Sequence, residues 1–362
     1  MRKPLASSIV LTLGIALLTP GSNQAGHPLA GPTGKDTKDK MITIEEPVPG
    51  AITLGGRFSE HLQSIYLDSI TPFWRPGNAV VFLNTRSTYN DSHQYESSYG
   101  LGVRYLVPDY DIIVGANAFY DSLDSQFDNQ FHSYGFGAEI LTHWIDARFN
   151  YYLPDGEDIL WGSDNRHSKS TTTSGVTQSG NLLTRTVTTR TRTRNFRTFE
   201  AQLEGWNAEV GFLIPGVERY METRIFGGYY HYNHPFAKDY DGFKARLEAH
   251  LLPGVIADVE WWDDSYLKGS HWSAGLRATV PFSLCNLFSG RNPFEGAGEA
   301  FRPRERAFRE RLSDMVIRSH DVKTVLGEKL VSDRTTNKSS THTVGTVPRP
   351  GPSPSPRGQT GP

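Results

Sequence analysis

The chain has 362 residues, long enough for one large or two modest domains. Its 37 Lys and Arg residues nearly balance 39 Asp and Glu residues, so no overall charge favours nucleic acid as a partner. The 35 Gly, 16 Tyr, 19 Phe and 7 Trp residues suit twisted strands, tight turns and bands of aromatic side chains.

The first thirty residues have the pattern of a secretory signal peptide. Two basic residues at positions 2 and 3 precede an apolar run at 5–18, and small residues follow. A run of roughly 14 residues is short for a membrane-spanning helix, which needs about 20. We therefore expect residues 1–30 to direct export and residues 31–50 to form a flexible periplasmic lead-in.

Between residues 51 and 285 the chain repeats short segments in which polar and apolar residues alternate. In 272–282, for example, Trp272, Leu276 and Val280 share one face and Arg277 lies on the other. A period of two predicts β-strands whose two faces meet different surroundings. Eleven such segments are clear after Leu62, and residues 51–59 supply a twelfth. We predict an all-β, antiparallel transmembrane barrel of about 12 strands.

The polar face of these segments favours a membrane barrel over a soluble sandwich or soluble barrel. It mixes Gly with charges of both signs, which suits a narrow, water-containing lumen. The charged side chains predicted to face the lumen are Arg104, Glu139, Asp146, Arg148, Glu209, Arg224, Arg246, Glu248, Asp258, Glu260 and Arg277. The side chains predicted to face lipid are Ile112, Val114, Phe136, Ile140, Phe149, Phe212, Leu247, Val259, Leu276 and Val280.

Connections between the segments alternate between short turns and longer loops, as in barrels with tight periplasmic turns and longer external loops. The longest loop, 154–197, alternates Thr with Arg, Val or Leu around Gly180 and predicts a polar hairpin that prolongs two strands. Two interpretations of it remain open. Its arginines, Arg185, Arg190, Arg192, Arg194 and Arg197, could contact lipopolysaccharide phosphates, or the loop could be solvated without a partner.

Five blocks of the chain resemble, in order and spacing, the β-domain of inverse autotransporters, the intimin and invasin family. They are GRFSEHLQ (56–63), YGLGVRYLVP (99–108), IVGANAFYDSLD (113–124), YGFGAEILTHWIDARFNYYLP (134–154) and GWNAEVGFLIPG (205–216). The resemblance extends over roughly residues 51–330. It implies a 12-stranded outer-membrane barrel that acts as translocator and anchor.

In that family the chain after the last strand turns back, threads the pore and displays a C-terminal passenger outside. The resemblance therefore implies that residues 286–330 are a pore linker, and apolar residues at helical spacing predict a helix at 305–319. The linker residues expected in the pore are Arg306, Arg309, Arg311, Leu312, Val316 and Arg318. The acids considered as their partners are Glu139, Asp146, Glu209, Glu248, Asp258 and Glu260. The alternative is a basic, solvated helix in the periplasm.

Residues 331–362 are rich in Ser, Thr, Pro and Gly, and their composition predicts a disordered tail. About 30 residues of this kind are too few for an immunoglobulin-like domain. The family's adhesive activity is therefore not transferred to this chain by the resemblance.

No catalytic, cofactor-binding or metal-binding residues are predicted, because GxSxG, Walker A and HExxH patterns are all absent from the sequence. Two histidines near Asp239 and Asp241 are interpreted as ordinary loop residues. A passive pore and a hydrolase with a site at the barrel rim remain as alternatives to a translocator. The expected location is the cell outer membrane, and the expected partners are its lipid and assembly machinery, with an unknown surface ligand and no nucleic acid.

Overall fold

The computed structural model describes residues 48–60, 62–218, 220–265, 269–318 and 324–348. The predicted signal peptide and most of the predicted lead-in lie outside these residues, as does the end of the predicted tail. Within the described part of the chain, no helix combines the length and apolar character needed to cross a membrane.

Twelve antiparallel strands form a closed barrel, as the alternation predicts. They are β1 Gly50–Ser59, β2 Gln63–Trp74, β3 Ala79–Asn90, β4 Tyr95–Val107, β5 Ile112–Asp124, β6 Gln130–Thr142, β7 Ile145–Asp155, β10 Glu204–Leu213, β11 Thr223–Asn233, β12 Tyr240–Leu252, β13 Val255–Asp264 and β14 Ser270–Phe282. Each strand pairs with the next one of this set, and β14 pairs with β1 from Gly50↔Phe282 to Ser59↔Ser273. Closure leaves the barrel sheet no free edge.

We name each end of the barrel after the chain segment that lies there. The linker end carries the start of β1 and the end of β14, and the extension end lies opposite. The predicted strict alternation of short and long connections is wrong in detail. The connection 91–94 at the extension end is as short as 75–78 at the linker end, and 214–222 at the linker end is longer than both. Tight turns can close antiparallel pairs at either end of a barrel, so loop length is a weak guide to its sides.

At the extension end, residues between β7 and β10 form two long strands, β8 Ile159–Ser179 and β9 Leu182–Gln202, joined through Gly180 at φ +60°. This hairpin confirms the shape predicted for the long loop, although it spans 159–202 and so ends five residues beyond the predicted loop. Each strand has 21 residues and spans about 70 Å at 3.3–3.4 Å per residue.

The predicted disorder of the tail is wrong for residues 331–346. They belong to β15 Thr324–Thr346, which pairs antiparallel with β9 in a three-stranded sheet of order β15-β9-β8. We call this sheet the extension. A polar Ser- and Thr-rich segment cannot build a core by itself, but the edge of β9 offers it a full row of backbone hydrogen-bond partners.

The predicted helix at 305–319 is also wrong. A 3-10 turn occupies Phe308–Ser313, and the chain beyond it is extended, with Asp314 at φ −61° and ψ 144°. Before this turn, a short helix α1 Leu284–Phe288 and a 3-10 turn at Ala297–Phe301 lie at the linker end. The Gly254 amide donates to the Ala300 carbonyl at 2.7 Å and attaches this segment to the β12–β13 turn.

Three apolar clusters follow one another along the inside of the barrel. The first holds Val48, Val80, Ile113, Leu141 and Leu312, the second Ile70, Phe82, Phe119 and Val316, and the third Leu203, Tyr232, Tyr240 and Val325. Each cluster takes one residue from the segment that follows the last barrel strand. The C-terminal part of the chain is thus packed at three successive depths, from the linker end to the extension end.

Candidate functional site: the occupied lumen and the extension

Inside the barrel, one wall carries a network of ion pairs between strands. The Glu209 carboxylate on β10 forms ion pairs with the side-chain nitrogens of Arg148 at 3.0 Å, Lys244 at 3.1 Å and Arg246 at 2.7 Å. Arg277 on β14 lies 2.7 Å from Glu248 and 3.2 Å from Asp258. A buried charge is costly unless it is paired and hydrogen-bonded, so these charges hold one another in place rather than lining an open path.

Another part of the wall, including β3 and β4, holds residues 312–316 by their backbone. Nη1 of Arg104 donates to the carbonyls of Leu312 at 3.0 Å and Asp314 at 2.6 Å. Nη2 of Arg86 donates to the Val316 carbonyl at 2.9 Å. An α-helix would use these carbonyls internally, whereas an extended chain leaves them free to accept from the barrel wall. These contacts explain why the segment is extended.

Two arginines of the linker anchor it through their side chains. Arg311 donates to Asp146 at 2.6 Å and to the Thr142 carbonyl at 2.6 Å. Arg318 donates through both terminal nitrogens to Asp121, at 2.7 and 2.5 Å, and lies over the Phe119 ring at 4.3 Å. Pairs of this kind, in which two hydrogen bonds join buried opposite charges, fix position as well as charge.

The eleven charges predicted to face the lumen all lie inside the barrel, either buried or nearly so. Two of them, Asp146 and Arg104, contact the linker directly. Glu139 acts indirectly, since it receives Nε of Arg104 at 2.6 Å. The other acids considered as linker partners, Glu209, Glu248, Asp258 and Glu260, pair with arginines or a lysine of the barrel itself.

The six predicted linker residues are placed differently from one another. Leu312 and Val316 are fully buried in the first two clusters, and Arg311 and Arg318 form the ion pairs described above. Arg306 contacts Asp314 and lies 3.7 Å from Glu222 near the linker end. Arg309 is half-buried, and no ion pair with a described residue places it in the lumen.

Several functional residues were missed by sequence analysis. Asp121, the partner of Arg318, follows Tyr120 in the alternation of β5 and could have been assigned to the lumen by the same reasoning as the others. Arg86 and Asp68, which pair at 2.9 Å, lie in strands whose polar faces resemble ordinary Ser- and Thr-rich surface. Their role depends on the linker carbonyl that Arg86 contacts, which no local pattern indicates.

The residues predicted to face lipid are on the outer surface of the barrel. Eight of the ten are exposed, and Ile112 and Val280, near the linker end, are partly covered. Each alternates with a residue that points into the lumen, such as Ile113 beside Val114. This outward apolar face is what a barrel presents to hydrocarbon.

The extension is held together by side chains as well as backbone. Arg192 on β9 donates to Asp333 on β15 through Nε at 2.8 and 3.0 Å. This contact lowers the pKa of the Asp333 carboxyl from its ordinary value, because the guanidinium stabilises the ionised form. The sheet also divides the five arginines that sequence analysis grouped together. Arg185 and Arg197 lie on one face, and Arg190, Arg192 and Arg194 lie on the other.

A cavity of about 550 Å³ opens at the linker end, between the β10–β11 connection and residues 303–308. His143, His250, Glu222 and Arg224 are among the described residues that line it. At the other end, His231 Nδ1 contacts Asp241 at 2.7 Å, and no group of three potential metal ligands occurs among the described residues.

Comparison with known proteins gives one family match. A family model described as the inverse autotransporter β-domain matches residues 41–233. No curated protein sequence matches the chain.

Several solved structures are similar to this chain at low sequence identity. A chain from a study of the in-meso crystallization of membrane proteins is 13% identical, with a TM-score of 0.54, and the match covers 78% of this chain and 100% of that one. The KdgM porin in complex with disordered oligogalacturonate is 8% identical, with a TM-score of 0.38 over 63% of this chain and 98% of its own. An outer membrane channel from Pseudomonas putida F1 is 8% identical, with a TM-score of 0.36 over 68% and 100% of the two chains. The first of these likenesses, with a TM-score above 0.5, concerns the fold alone.

Proposed function

Since this chain belongs to the inverse autotransporter β-domain family, we propose that it is an outer-membrane translocator and anchor that displays its own C-terminal strand. In this proposal the outer-membrane assembly machinery inserts the barrel into lipid. The linker then remains in the lumen, and β15 stands on the cell surface as part of the extension.

The observation that carries the proposal is the course of the chain after β14. Leu312 and Val316 occupy clusters at successive depths of the barrel, and Val325 occupies the cluster at the extension end. Residues 319–323 lie outside the described residues. Just before them, Arg318 pairs with Asp121 inside the barrel, and just after them, Thr324 pairs with Gln202 of β9. A segment that runs through a lumen and pairs beyond it has the placement expected of a translocated chain.

The lumen contacts account for anchoring. Arg311 and Arg318 each meet a buried carboxylate, and removing one partner of a buried pair costs about 3–5 kcal/mol. Arg86 and Arg104 add donors to the linker backbone. Withdrawal of the linker would break these contacts and separate Asp121 from Arg318, so the threaded state is favoured once it has formed.

Pairing in the extension accounts for the retention of β15 outside the barrel, at the extension end. β15 pairs with β9 from Thr324↔Gln202 to Thr346↔Leu182, along nearly the whole length of both strands. Each residue of β15 that emerges can exchange water for a backbone partner on β9. Pairing along this edge would therefore bias the emerging chain against return through the lumen.

The passive pore receives less support than the translocator. Ion pairs between neighbouring strands occupy one wall of the lumen, and the linker lies along another part of the wall. Both occupy part of the lumen, in which a barrel of this size could otherwise leave a narrow aqueous path. A pore would need the linker to leave, and the test of that is a conductance measurement.

Three epitope-tag insertions in otherwise unchanged protein test the translocator. One tag follows Pro362, one follows Gly180 at the tip of the extension, and one follows Arg291 at the linker end. On intact cells we expect antibody to bind the first two tags and to reach the third only after the outer membrane is permeabilised. Staining of the Gly180 tag without the Pro362 tag would overturn display of the C-terminus while leaving the barrel orientation intact.

A further inference from the structure

The two faces of the extension differ in charge. Residues opposite one another in an antiparallel pair share a face. The register therefore assigns each charged side chain of the three strands to one of the two faces. One side, the basic face, carries six cations and no acid. Its cations are Lys169, Arg185, Arg197, Lys329, Arg334 and Lys338.

The other side, the mixed face, carries all the acids of the three strands. Four cations, Arg166, Arg190, Arg192 and Arg194, are balanced there by Asp164, Glu200, Glu328 and Asp333. Several of these charges are paired. Arg166 donates to Glu328 at 2.7 Å and Arg192 to Asp333 at 2.8 Å, and both contacts stabilise the sheet itself.

The cations of the basic face serve no such internal purpose. All six are exposed, and among them only Lys329 meets a carboxylate in the described part of the chain, Asp158 at 2.8 Å. The remaining five make no ion pair with described residues. A whole chain with a formal charge of −2 thus concentrates unpaired positive charge on one side of its protruding sheet.

We propose that the basic face binds the phosphate groups of lipopolysaccharide sugars in the same outer membrane. The inference rests on the proposed function, which places the extension outside the cell among these saccharide chains. Arg and Lys side chains provide several donors each for phosphate oxygens, and complementary charge favours an anionic partner. A partner of this kind would hold the stalk within the saccharide layer.

The spacing of the cations on the basic face suits a saccharide chain that carries several phosphates. Arg334 and Lys338 lie four residues apart on β15, about 14 Å along the strand. Lys169 lies across the sheet on β8, at the level of Thr191 on β9. Hydroxyl groups of Thr189, Thr191 and Thr193 fill the space between these cations, and they can donate to or accept from sugar hydroxyls.

Two charge-matched variants of the full chain test the proposal. R334Q/K338Q removes two cations, four residues apart, from the basic face. R190Q/R194Q removes two cations with the same spacing from the mixed face, where neither makes a hydrogen bond to a described carboxylate. Each protein is reconstituted in phospholipid nanodiscs, and its affinity is measured for immobilised lipopolysaccharide and for the same preparation after enzymatic dephosphorylation.

We expect wild type and R190Q/R194Q to bind the phosphorylated form with similar affinity. R334Q/K338Q should lose at least about fivefold, the order expected for two exposed charge contacts, and dephosphorylation should weaken wild type similarly. Equal losses in the two variants would indicate a response to net charge alone and would overturn the proposal. Equal binding of wild type to both preparations, as an adhesive contact with non-phosphorylated sugar would give, would overturn it as well.

The tag after Gly180 separates failure of this inference from failure of the proposed function. If the extension is not displayed, that tag stays hidden on intact cells whatever the nanodisc measurement gives. If the extension is displayed but binds no phosphate, the tag is accessible and only the affinity difference disappears.

Discussion

Arg318 and Asp121 form a buried ion pair inside the barrel, with guanidinium nitrogens 2.7 and 2.5 Å from the two carboxylate oxygens. The residues are 197 positions apart, and they join the linker to β5. Asp121 is 1% exposed, so the pair is closed off from bulk water. The pair is the last linker contact described before the chain reaches the extension.

Replacing Asp121 with Ala should destabilise the protein by about 3–5 kcal/mol, because Arg318 would remain buried without its partner. The measurement is urea-induced unfolding of refolded protein in detergent micelles, followed by tryptophan fluorescence. The double variant Asp121→Leu with Arg318→Met should recover most of the loss, since apolar replacement of a buried pair is often neutral. Additive losses in the double variant would contradict a direct interaction between the two residues.

Gly135 on β6 leaves the space that the Arg318 guanidinium occupies. A Cβ at Gly135 would lie 2.8 Å from Nη2 of Arg318, whereas a Cβ at Gly227 on β11 would meet nothing within 4 Å. Gly135→Ala should therefore cost about 1–3 kcal/mol in the same unfolding measurement, and Gly227→Ala should cost less. Equal effects would show that strand propensity, rather than the linker, determines the outcome.

Removing residues 284–362 should open a conducting path through the barrel. The closed set of twelve strands would remain, and the apolar and ionic contacts that the linker makes with β2 to β7 would be replaced by water. Single-channel recording in planar bilayers should give a larger and steadier conductance for the truncated chain than for the full chain. Identical conductance would indicate that the linker does not obstruct the lumen.

Shortening the extension should expose β15 to protease. Deleting residues 169–191 and joining Ser168 to Arg192 with an Asn-Gly turn removes the pairing partners of β15 beyond Thr335. Trypsin should then cleave after Lys338 much faster than in the wild-type protein, while the barrel stays resistant. Mass spectrometry of the released peptide measures this, and unchanged protection would mean that β15 is held by something other than β9.

The lumen and lipid faces could be predicted from sequence because a strand alternates its side chains with a fixed period of two. Arg277 and Leu276 fall on opposite sides for this local reason alone. The partners of each charge could not be predicted in the same way. Glu209 meets Arg148 because β7 and β10 are neighbours in the barrel, although the extension hairpin separates them in the chain.

The helix predicted for the linker failed for a reason visible in its spacing. Phe308, Leu312 and Val316 recur every four residues, which fits one side of a helix and equally fits one side of an extended chain. Only the barrel wall decides between the two, because Arg104 and Arg86 donate to carbonyls that a helix would keep for itself.

The sequence by itself determined the closed barrel, its strand faces and the family, since alternation and turn residues act within a few positions of each other. Only the tertiary structure decided what the C-terminal part becomes. The composition of 331–346 predicts disorder because it lacks apolar residues for a core, yet the free edge of β9 supplies backbone partners that need no core. Pairing of this kind depends on register over more than a hundred residues of chain, which composition does not encode.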